Sequence, residues 1–201
     1  AQGNSTGAAV VDFLLSRIMH NDQITVFDNT TIAELVIQEN RCVGALAFRN
    51  QQLEPVFFSA RATVIATGGA AGIYRRTTNP PTSSGDGIAL AYQAGADVCD
   101  MEFVQFHPTA LFTKSGETFL ISEALRGEGG HVIDASGRRF VGDYHPRGEL
   151  APRDVVASAI FKEMQKQGAD HVYLTMKHLD HEFVRRRFAN VYKACLTHGI
   201  D

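Results

Sequence analysis

The sequence predicts a mixed α/β and α+β fold in two domains, residues 1–100 and 101–201. Before residue 100, an amphipathic helix leads into a β-meander, a further apolar strand and a short helix. After residue 100, short β runs and loops precede two amphipathic helices. The chain is 44% hydrophobic and 20% charged, which is ordinary for a globular protein, and its 201 residues suffice for two small domains.

The first predicted domain opens with a helix at residues 6–20, where apolar side chains recur at helical spacing. Three β-type runs follow, at residues 24–40, 42–50 and 54–69, with turns expected at Asn40-Arg41 and Asn50-Gln51-Gln52. The third run ends in the apolar strand Val64-Ile65-Ala66, followed by Thr67, Gly68 and Gly69. Glycines at a strand end allow a ligand or another backbone to approach closely.

A polar segment, YRRTTNPPTSSGDG, separates this strand from the next helix and is too rich in Pro, Gly, Ser and Thr for regular structure. Ser83 and Ser84 are candidate N-caps, and Asp86 falls in the first turn of a helix that Gly95 closes.

The second predicted domain contains five local elements. They are a short β segment around His107, a helix at Glu123–Arg126 capped by Ser122, a hairpin turning at Ala135-Ser136-Gly137, a helix from about Pro152 to Gly168, and a helix from near Asp180 to Gly199.

Charge, hydropathy and cysteine content exclude several classes of function. A net charge of −3 argues against a nucleic-acid surface, so Arg185-Arg186-Arg187 is interpreted as a solvated helix face. No apolar run approaches the roughly 18 residues of a membrane span. The first residues lack the features of a signal peptide and an initiator Met, so we expect a fragment or a processed chain. Three cysteines without a C-x-x-C pair indicate reduced thiols and a cytoplasmic protein.

His107 stands at the end of an apolar run, EFVQFHPTALF, that Pro108 terminates. A histidine held there is either a core residue with both ring nitrogens satisfied or a polar group directed at a ligand. The residues of this run alone leave both interpretations open.

Two binding motifs fail on inspection. The segment from Thr67 to Gly72 lacks the glycine that G-x-G-x-x-G requires, because Ala70 occupies that position, and it follows a meander instead of opening a βαβ unit. His178 and His181 have no further Cys or His nearby to complete a metal shell, and Asp180 is explained as a helix cap. We therefore predict no metal site.

Three charged residues in two segments could carry chemistry. In SEALRGEGG, Glu123 and Arg126 share one face of a short helix, either as a surface ion pair or packed closely against another surface. In GELAPRD, Arg153 falls at a helix N-terminus, where a cation is unfavourable by about 0.3–1 kcal/mol. It either pairs with Glu149 or Asp154 or contacts an anion such as a carboxylate substrate.

Six segments in order carry a family resemblance: ATVIATGG, TTNPPTSSGDGIALAYQAGA, EFVQFHPTAL, FLISEALRGEGG, GELAPRDVVA and KHLDHEFVRRRF. Together they resemble the flavoprotein family of succinate dehydrogenase, fumarate reductase and L-aspartate oxidase. The forms TTNP…SSGDGIA, FHPTAL and GELAPRD resemble the aspartate oxidase branch. The resemblance spans essentially the whole chain.

The resemblance implies a partial FAD-binding domain followed by the capping domain of the fumarate reductase flavoproteins. On the substrate side, it implies that His107 and Gln105 lie at a substrate carboxylate, that Ser122 and Glu123 line the same dicarboxylate pocket, and that Arg126 forms a proton path with Glu123. It implies that Arg153 is a proton donor or acceptor, and the high pKa of a guanidinium favours carboxylate clamp and proton donor. On the cofactor side, it implies that Asp86, with Thr67, Gly68 and Gly69, lies at non-covalent FAD.

The activity that the resemblance implies is oxidation of L-aspartate to iminoaspartate, the first step of de novo NAD synthesis, with oxygen or fumarate as electron acceptor. It also implies a functional link to quinolinate synthase. The family's phosphate-binding glycine fingerprint and a later substrate histidine and arginine are missing from the sequence, so we expect a central fragment that is inactive alone and does not retain FAD. The alternatives are a fumarate reductase or succinate dehydrogenase flavoprotein subunit and a non-catalytic capping-type binding module.

Overall fold

The computed structural model describes residues 6–49, 53–113 and 116–200 and divides into two compact units. The first unit comprises Ala1–Ile73 and Thr82–Cys99, and the second comprises Tyr74–Pro81 and Asp100–Asp201. Each unit combines helices with antiparallel sheet.

The first unit contains a helix and a three-stranded meander. Its helix is α1 (Thr6–Met19), and its strands are β1 (Thr30–Gln38), β2 (Arg41–Arg49) and β3 (Glu54–Ser59), antiparallel in the order β1-β2-β3. The expected helix and meander are thereby confirmed.

The turn between β1 and β2 lies one residue earlier than predicted. Its central residues are Glu39 and Asn40, with φ of 48° and 59°, the left-handed pair that matches the twist of a tight hairpin. The predicted turn at Asn50-Gln51-Gln52 lies outside the described residues.

The strand predicted at Val64-Ile65-Ala66 is not formed. A strand requires a hydrogen-bonded neighbour, and none of the described strands pairs with this segment. Val64 is consequently 87% exposed.

The helix that follows is α2 (Asp86–Gln93), which confirms Asp86 in the first turn. Its N-cap is Gly85 in a left-handed conformation, without a side-chain hydrogen bond, so the expected capping by Ser83 or Ser84 is wrong. At the other end, Gly95 adopts φ 90° directly after the C-cap, as predicted.

The second unit alternates short strands and helices. Its strands form two antiparallel pairs, β4 (Ala110–Leu111) with β5 (Phe119–Leu120) and β6 (His131–Ile133) with β7 (Tyr173–Thr175). Its helices are α3 (Glu123–Gly127), α4 (Arg153–Gln167), α5 (His181–Arg187) and α6 (Ala189–Thr197).

Two hydrophobic clusters form the core of the second unit. One packs α4 against the hairpin after β6, through Val132, Phe140, Val141, Ala151, Val156, Ala159 and Ile160. The other packs α3 against α6, through Ile121, Leu125, Phe188 and Val191.

The helix expected from Asp180 to Gly199 is two helices, because Phe188 leaves helical geometry with φ −122° and ψ 37°. Its ring is 2% exposed within the second cluster. The break thus allows the ring to enter the core. The exposed face at Arg185-Arg186-Arg187 is as expected. Among the described residues, no helix has both the length and the apolar character of a membrane span.

Candidate active site

A short β-ribbon brings two predicted site segments together. Strands β4 and β5 pair, and beside them the Thr109 hydroxyl donates to the Ile121 carbonyl at 2.8 Å while the Ile121 N–H donates to the Thr109 carbonyl at 3.2 Å. His107 lies two residues before Thr109, and Ser122 directly follows Ile121. The ribbon therefore fixes the His107 segment beside the start of α3.

His107 is half-buried and bound to its own loop. Its Nδ1 lies 2.9 Å from the Thr109 carbonyl oxygen and 3.3 Å from the Thr109 backbone nitrogen, so the role of Nδ1 depends on the ring tautomer. With the proton on Nε2, Nδ1 accepts from the Thr109 N–H and Nε2 can donate to a carboxylate. Burial lowers the His107 pKa, the bond to Thr109 raises it in part, and the charges of Arg153 and Arg126 lower it further. The imidazole is therefore neutral at pH 7.

The apolar residues before His107 form no strand, contrary to expectation. Phe103 is 78% exposed and Phe106 is 53% exposed, so this segment is not part of the core of the second unit.

Ser122 begins α3 as its N-cap, accepting a hydrogen bond from the Ala124 N–H at 3.3 Å. The cap sets the helix start so that Glu123 lies in the first turn and Arg126 one turn later, as predicted. Their side chains approach each other, with Arg126 Nη2 3.9 Å from Glu123 Oε1.

Arg153, at the start of α4, contacts Glu123 and Gln105. Its Nε donates to Glu123 Oε2 at 2.8 Å, its Nη2 lies 2.8 Å from the same oxygen, and its Nη1 donates to Gln105 Oε1 at 3.1 Å. The hydrogen bond from Arg153 is the main cause that lowers the Glu123 pKa. A pairing of Arg153 with Glu149 or Asp154, weighed from the sequence, is replaced by this contact.

Arg126 is the most constrained charged residue of the set. It is 2% exposed whereas the Glu123 side chain is 48% exposed, so their ion pair is formed but is buried on the arginine side. Arg126 Nη1 donates to the Glu149 carbonyl at 2.6 Å. Within the described part of the chain, its Nε and Nη2 have no hydrogen-bond acceptor. Burial lowers the Arg126 pKa, although a guanidinium stays charged at neutral pH. Unpaired buried donors on a cation are costly, so this group is prepared for an anionic acceptor.

Sequence reasoning missed Glu149 and Arg139. The Glu149 carboxylate accepts from Arg139 Nε at 3.1 Å, from Arg139 Nη2 at 2.8 Å and from the Val132 N–H at 3.2 Å. Burial raises the Glu149 pKa, but these donors outweigh it and the net shift is downward. No spacing rule links Glu149 to Arg126, because their contact uses the Glu149 backbone carbonyl.

The predicted cofactor-binding residues lie in the first unit, where Thr67 packs against the start of α2. A Cβ on Gly87 would meet Thr67 Oγ1 at 2.0 Å, so only glycine permits this approach. Gly68, at φ 76°, and Gly69 are exposed with open space where a Cβ would lie, and Asp86 is exposed. Exposed glycines allow a ligand to approach the backbone closely.

The two histidines considered for a metal have other contacts. His178 stacks on His131 with ring centroids 4.0 Å apart, and Asp180 caps α5 by accepting from the Phe183 N–H at 2.7 Å, as predicted. Within the described ranges, no group of three or more metal-ligating side chains occurs.

A family model described as the FAD binding domain matches residues 1–201. The chain belongs to the FAD binding domain family. FAD is the cofactor of this family, and the exposed backbone at Gly68 and Gly69 is compatible with part of such a ligand.

Among curated proteins, the chain is 44% identical over 204 residues to the L-aspartate oxidase of Synechocystis sp. and 45% identical over 206 residues to that of Yersinia pestis. Each alignment covers 98% of this chain but 36% and 38% of the relative, so the chain spans little more than a third of these relatives' length.

Among solved structures, a quinol–fumarate reductase with bound menaquinol matches with a TM-score of 0.89 and 32% identity. That match covers 100% of this chain and 38% of the other chain. The mixed α/β fold is therefore similar to part of a fumarate reductase flavoprotein.

Proposed function

We propose that this chain is part of an FAD-dependent oxidase that converts L-aspartate to iminoaspartate, the first step of de novo NAD synthesis. The first unit would be part of the FAD-binding domain and the second the capping domain. The similarity to L-aspartate oxidases over 98% of the chain supports this assignment.

The observation that carries the proposal is buried Arg126, whose Nε and Nη2 lack a hydrogen-bond acceptor among the described residues, in the same unit as Arg153, Gln105 and His107. A dicarboxylate offers two anionic ends that need fixed, charge-assisted donors. Arg153 and Arg126 supply those donors, and Ser122 and Glu123 line the same pocket. His107 would present its Nε2 side to the substrate.

Bound FAD would accept the hydride that leaves the aspartate Cα. The residues of this chain would hold the substrate and move a proton. Glu123 stands between the two arginines, 2.8 Å from Arg153 and 3.9 Å from Arg126, which supports a proton path along these three side chains. As the hydride leaves Cα, the substrate nitrogen loses a proton, which would pass to the Glu123 carboxylate and on to solvent. Because a guanidinium does not readily lose its proton, Arg153 would act as carboxylate clamp in this direction and as proton donor when fumarate is reduced.

On the cofactor side, Asp86 would accept a hydrogen bond from an FAD hydroxyl, while Thr67, Gly68 and Gly69 would present their backbone to the non-covalently bound cofactor. Oxygen or fumarate would reoxidise it. Iminoaspartate is a reactive imine, so an enzyme that consumes it directly, such as quinolinate synthase, would be the functional partner. The cytoplasmic location predicted from the cysteines stays a prediction.

A fumarate reductase or succinate dehydrogenase flavoprotein is the second candidate, favoured by the solved structure at TM-score 0.89. The same arginines and histidine would then hold succinate or fumarate. A capping-type module that binds a ligand without turnover is a third interpretation.

One experiment separates these candidates. The FAD-loaded, full-length protein that contains this chain is assayed for aspartate-dependent peroxide formation and, in parallel, for succinate-dependent reduction of an artificial acceptor. Turnover with aspartate supports the proposal. Turnover with succinate alone would favour the second candidate, and turnover with neither would favour the binding module.

A further inference from the structure

Glu149 is a buried carboxylate residue of the second unit that contacts the candidate site through its backbone carbonyl. Its side chain is 7% exposed, and three hydrogen bonds hold its carboxylate. Its carbonyl accepts from Arg126 Nη1 at 2.6 Å, the one hydrogen bond of that guanidinium within the described residues.

The same residue lies four positions before Arg153. Glu149 belongs to a 3-10 helix at Gly148–Leu150, and Ala151, 3% exposed, and Pro152 connect that helix to the first turn of α4. Anchoring the Glu149 side chain therefore restricts the position of the Glu149 carbonyl, which accepts from Arg126. It also restricts the backbone of residues 150–152, which leads to Arg153.

Arg139 completes this arrangement from the opposite side. It follows the hairpin turn after β6, and its guanidinium makes a two-point contact with the Glu149 carboxylate. Such two-point contacts fix orientation as well as distance. The Val132 N–H in β6 fixes the same carboxylate to the sheet.

We propose that Glu149, held by Arg139, is a positioning residue that fixes Arg126 and Arg153 for carboxylate binding. It touches neither substrate nor cofactor and acts through the two arginines. This inference rests on the proposed function, since it assigns the arginines to a dicarboxylate.

The test compares Glu149→Gln with Glu163→Gln in the FAD-loaded, full-length protein. Glu163 is a matched control, because its side chain, 3% exposed against 7% for Glu149, is likewise buried and paired with an arginine, Arg138. Among the described residues, it makes no hydrogen bond or ion pair with Arg126 or Arg153. Misplacement of a site group by about 1 Å lowers turnover by about 10²-fold. We expect Glu149→Gln to lower kcat/KM for aspartate by about 10- to 100-fold and Glu163→Gln to leave it near the parent value.

A double-mutant cycle with Arg126→Met separates positioning from general stability. If Glu149 acts partly through Arg126, the losses of kcat/KM are non-additive: Glu149→Gln lowers kcat/KM less in the Arg126→Met background than in the parent, and the remaining loss is the part that acts through Arg153. Additive losses, or equal losses from Glu149→Gln and Glu163→Gln, would overturn the proposal.

Two further readouts separate failure of this inference from failure of the proposed function. Succinate affinity is titrated by the flavin absorbance change, and melting temperatures are measured for the four members of the cycle. If the parent binds succinate but does not oxidise aspartate, the proposed function fails, while selective loss of succinate affinity in Glu149→Gln still supports positioning. If Glu149→Gln leaves the succinate affinity unchanged and the melting-temperature shifts of the cycle are additive, the positioning role of Glu149 is overturned.

Discussion

At the scale of single residues, Arg126 and Arg153 have opposite environments although both contact Glu123. Arg126 is 2% exposed, and two of its nitrogens have no hydrogen-bond acceptor in the described part of the chain. The Arg153 side chain is 41% exposed and hydrogen-bonded to Glu123 and Gln105. The exposed arginine can exchange partners at low cost, since a surface ion pair contributes only about 0–1 kcal/mol. Arg153 is thus the residue that can turn toward an arriving carboxylate.

We expect Arg153→Leu to fold and bind FAD but to lose most turnover in the full-length enzyme. Removing one preorganised charge donor should raise the activation barrier by about 2.7–4 kcal/mol. The control is Arg185→Leu, another exposed arginine of the second unit, which pairs with Glu182 at 3.8 Å. A kcat/KM for aspartate close to that of the control would refute the role given to Arg153.

His107 yields a prediction on pH dependence. Its folded-state pKa lies below the ordinary value of 6.5, chiefly through burial, so folding favours the neutral ring. Its contribution to stability is therefore complete above pH 6.5 and is lost as the pH falls through the lowered folded-state pKa, because the unfolded chain binds the proton first.

The measurement is urea unfolding of the parent and of His107→Gln at about pH 7.5 and about pH 5.5. The free energy of unfolding should fall more between these conditions in the parent than in the variant. Equal falls in the free energy of unfolding would show that His107 is not desolvated.

In titrations, His107→Ala should weaken succinate binding more than FAD binding, and an equal loss of both would assign His107 to the cofactor.

At the scale of elements, short structures position the candidate site. The ribbon of β4 and β5 has only two residues in each strand, and α3 has five residues. Such short elements are not stable by themselves. The two hydrogen bonds between Thr109 and Ile121 and the Ser122 cap therefore determine their geometry.

Ser122→Ala should destabilise the protein by about 1 kcal/mol, because it removes the side-chain acceptor for the Ala124 N–H. Ser84→Ala is the control, since Ser84 makes no cap for α2. Thermal unfolding of both variants tests the cap. Ser122→Asp restores a capping oxygen but adds a charge, so it should regain stability and still bind succinate poorly. If its succinate affinity equals that of the parent, Ser122 is a structural residue only.

At the scale of the whole molecule, the two units differ in the size of their cores. The second unit has two clusters of buried side chains, whereas Ala45 and Ala47 are the buried apolar residues described in the first unit. No residue of α1 is buried, and Phe13 is 60% exposed. The second unit should therefore be the more stable one.

For a polypeptide of the printed 201 residues alone, we expect partial folding without tight FAD binding or aspartate oxidation. Its second unit has a core, but the sequence contains no glycine-rich turn that opens a helix to hold a pyrophosphate. Hydrogen exchange should find amides of α4 protected and those of α1 exchanging freely. FAD titration and a peroxide assay complete the test, and stoichiometric yellow protein with turnover would refute the prediction.

Local patterns in the sequence determined most elements. Apolar spacing located α1, the meander and α4, and the Ser122 cap was readable because capping depends on residues two or three positions apart. These features were predictable because they depend on neighbours in the chain. The set of candidate site residues, Gln105, His107, Glu123, Arg126 and Arg153, came from the family resemblance of the ordered motifs, since local patterns left their roles open.

Only the tertiary structure decided which of these residues meet and what environment each one has. The Arg153 contacts with Glu123 and Gln105 span 30 and 48 residues, and no local pattern encodes them. Burial of Arg126, the break at Phe188 and the unpaired segment at Val64 depend likewise on packing or on a partner strand. The physical reason is that desolvation and strand pairing are properties of distant chain segments brought together, whereas caps and periodicity belong to the local chain.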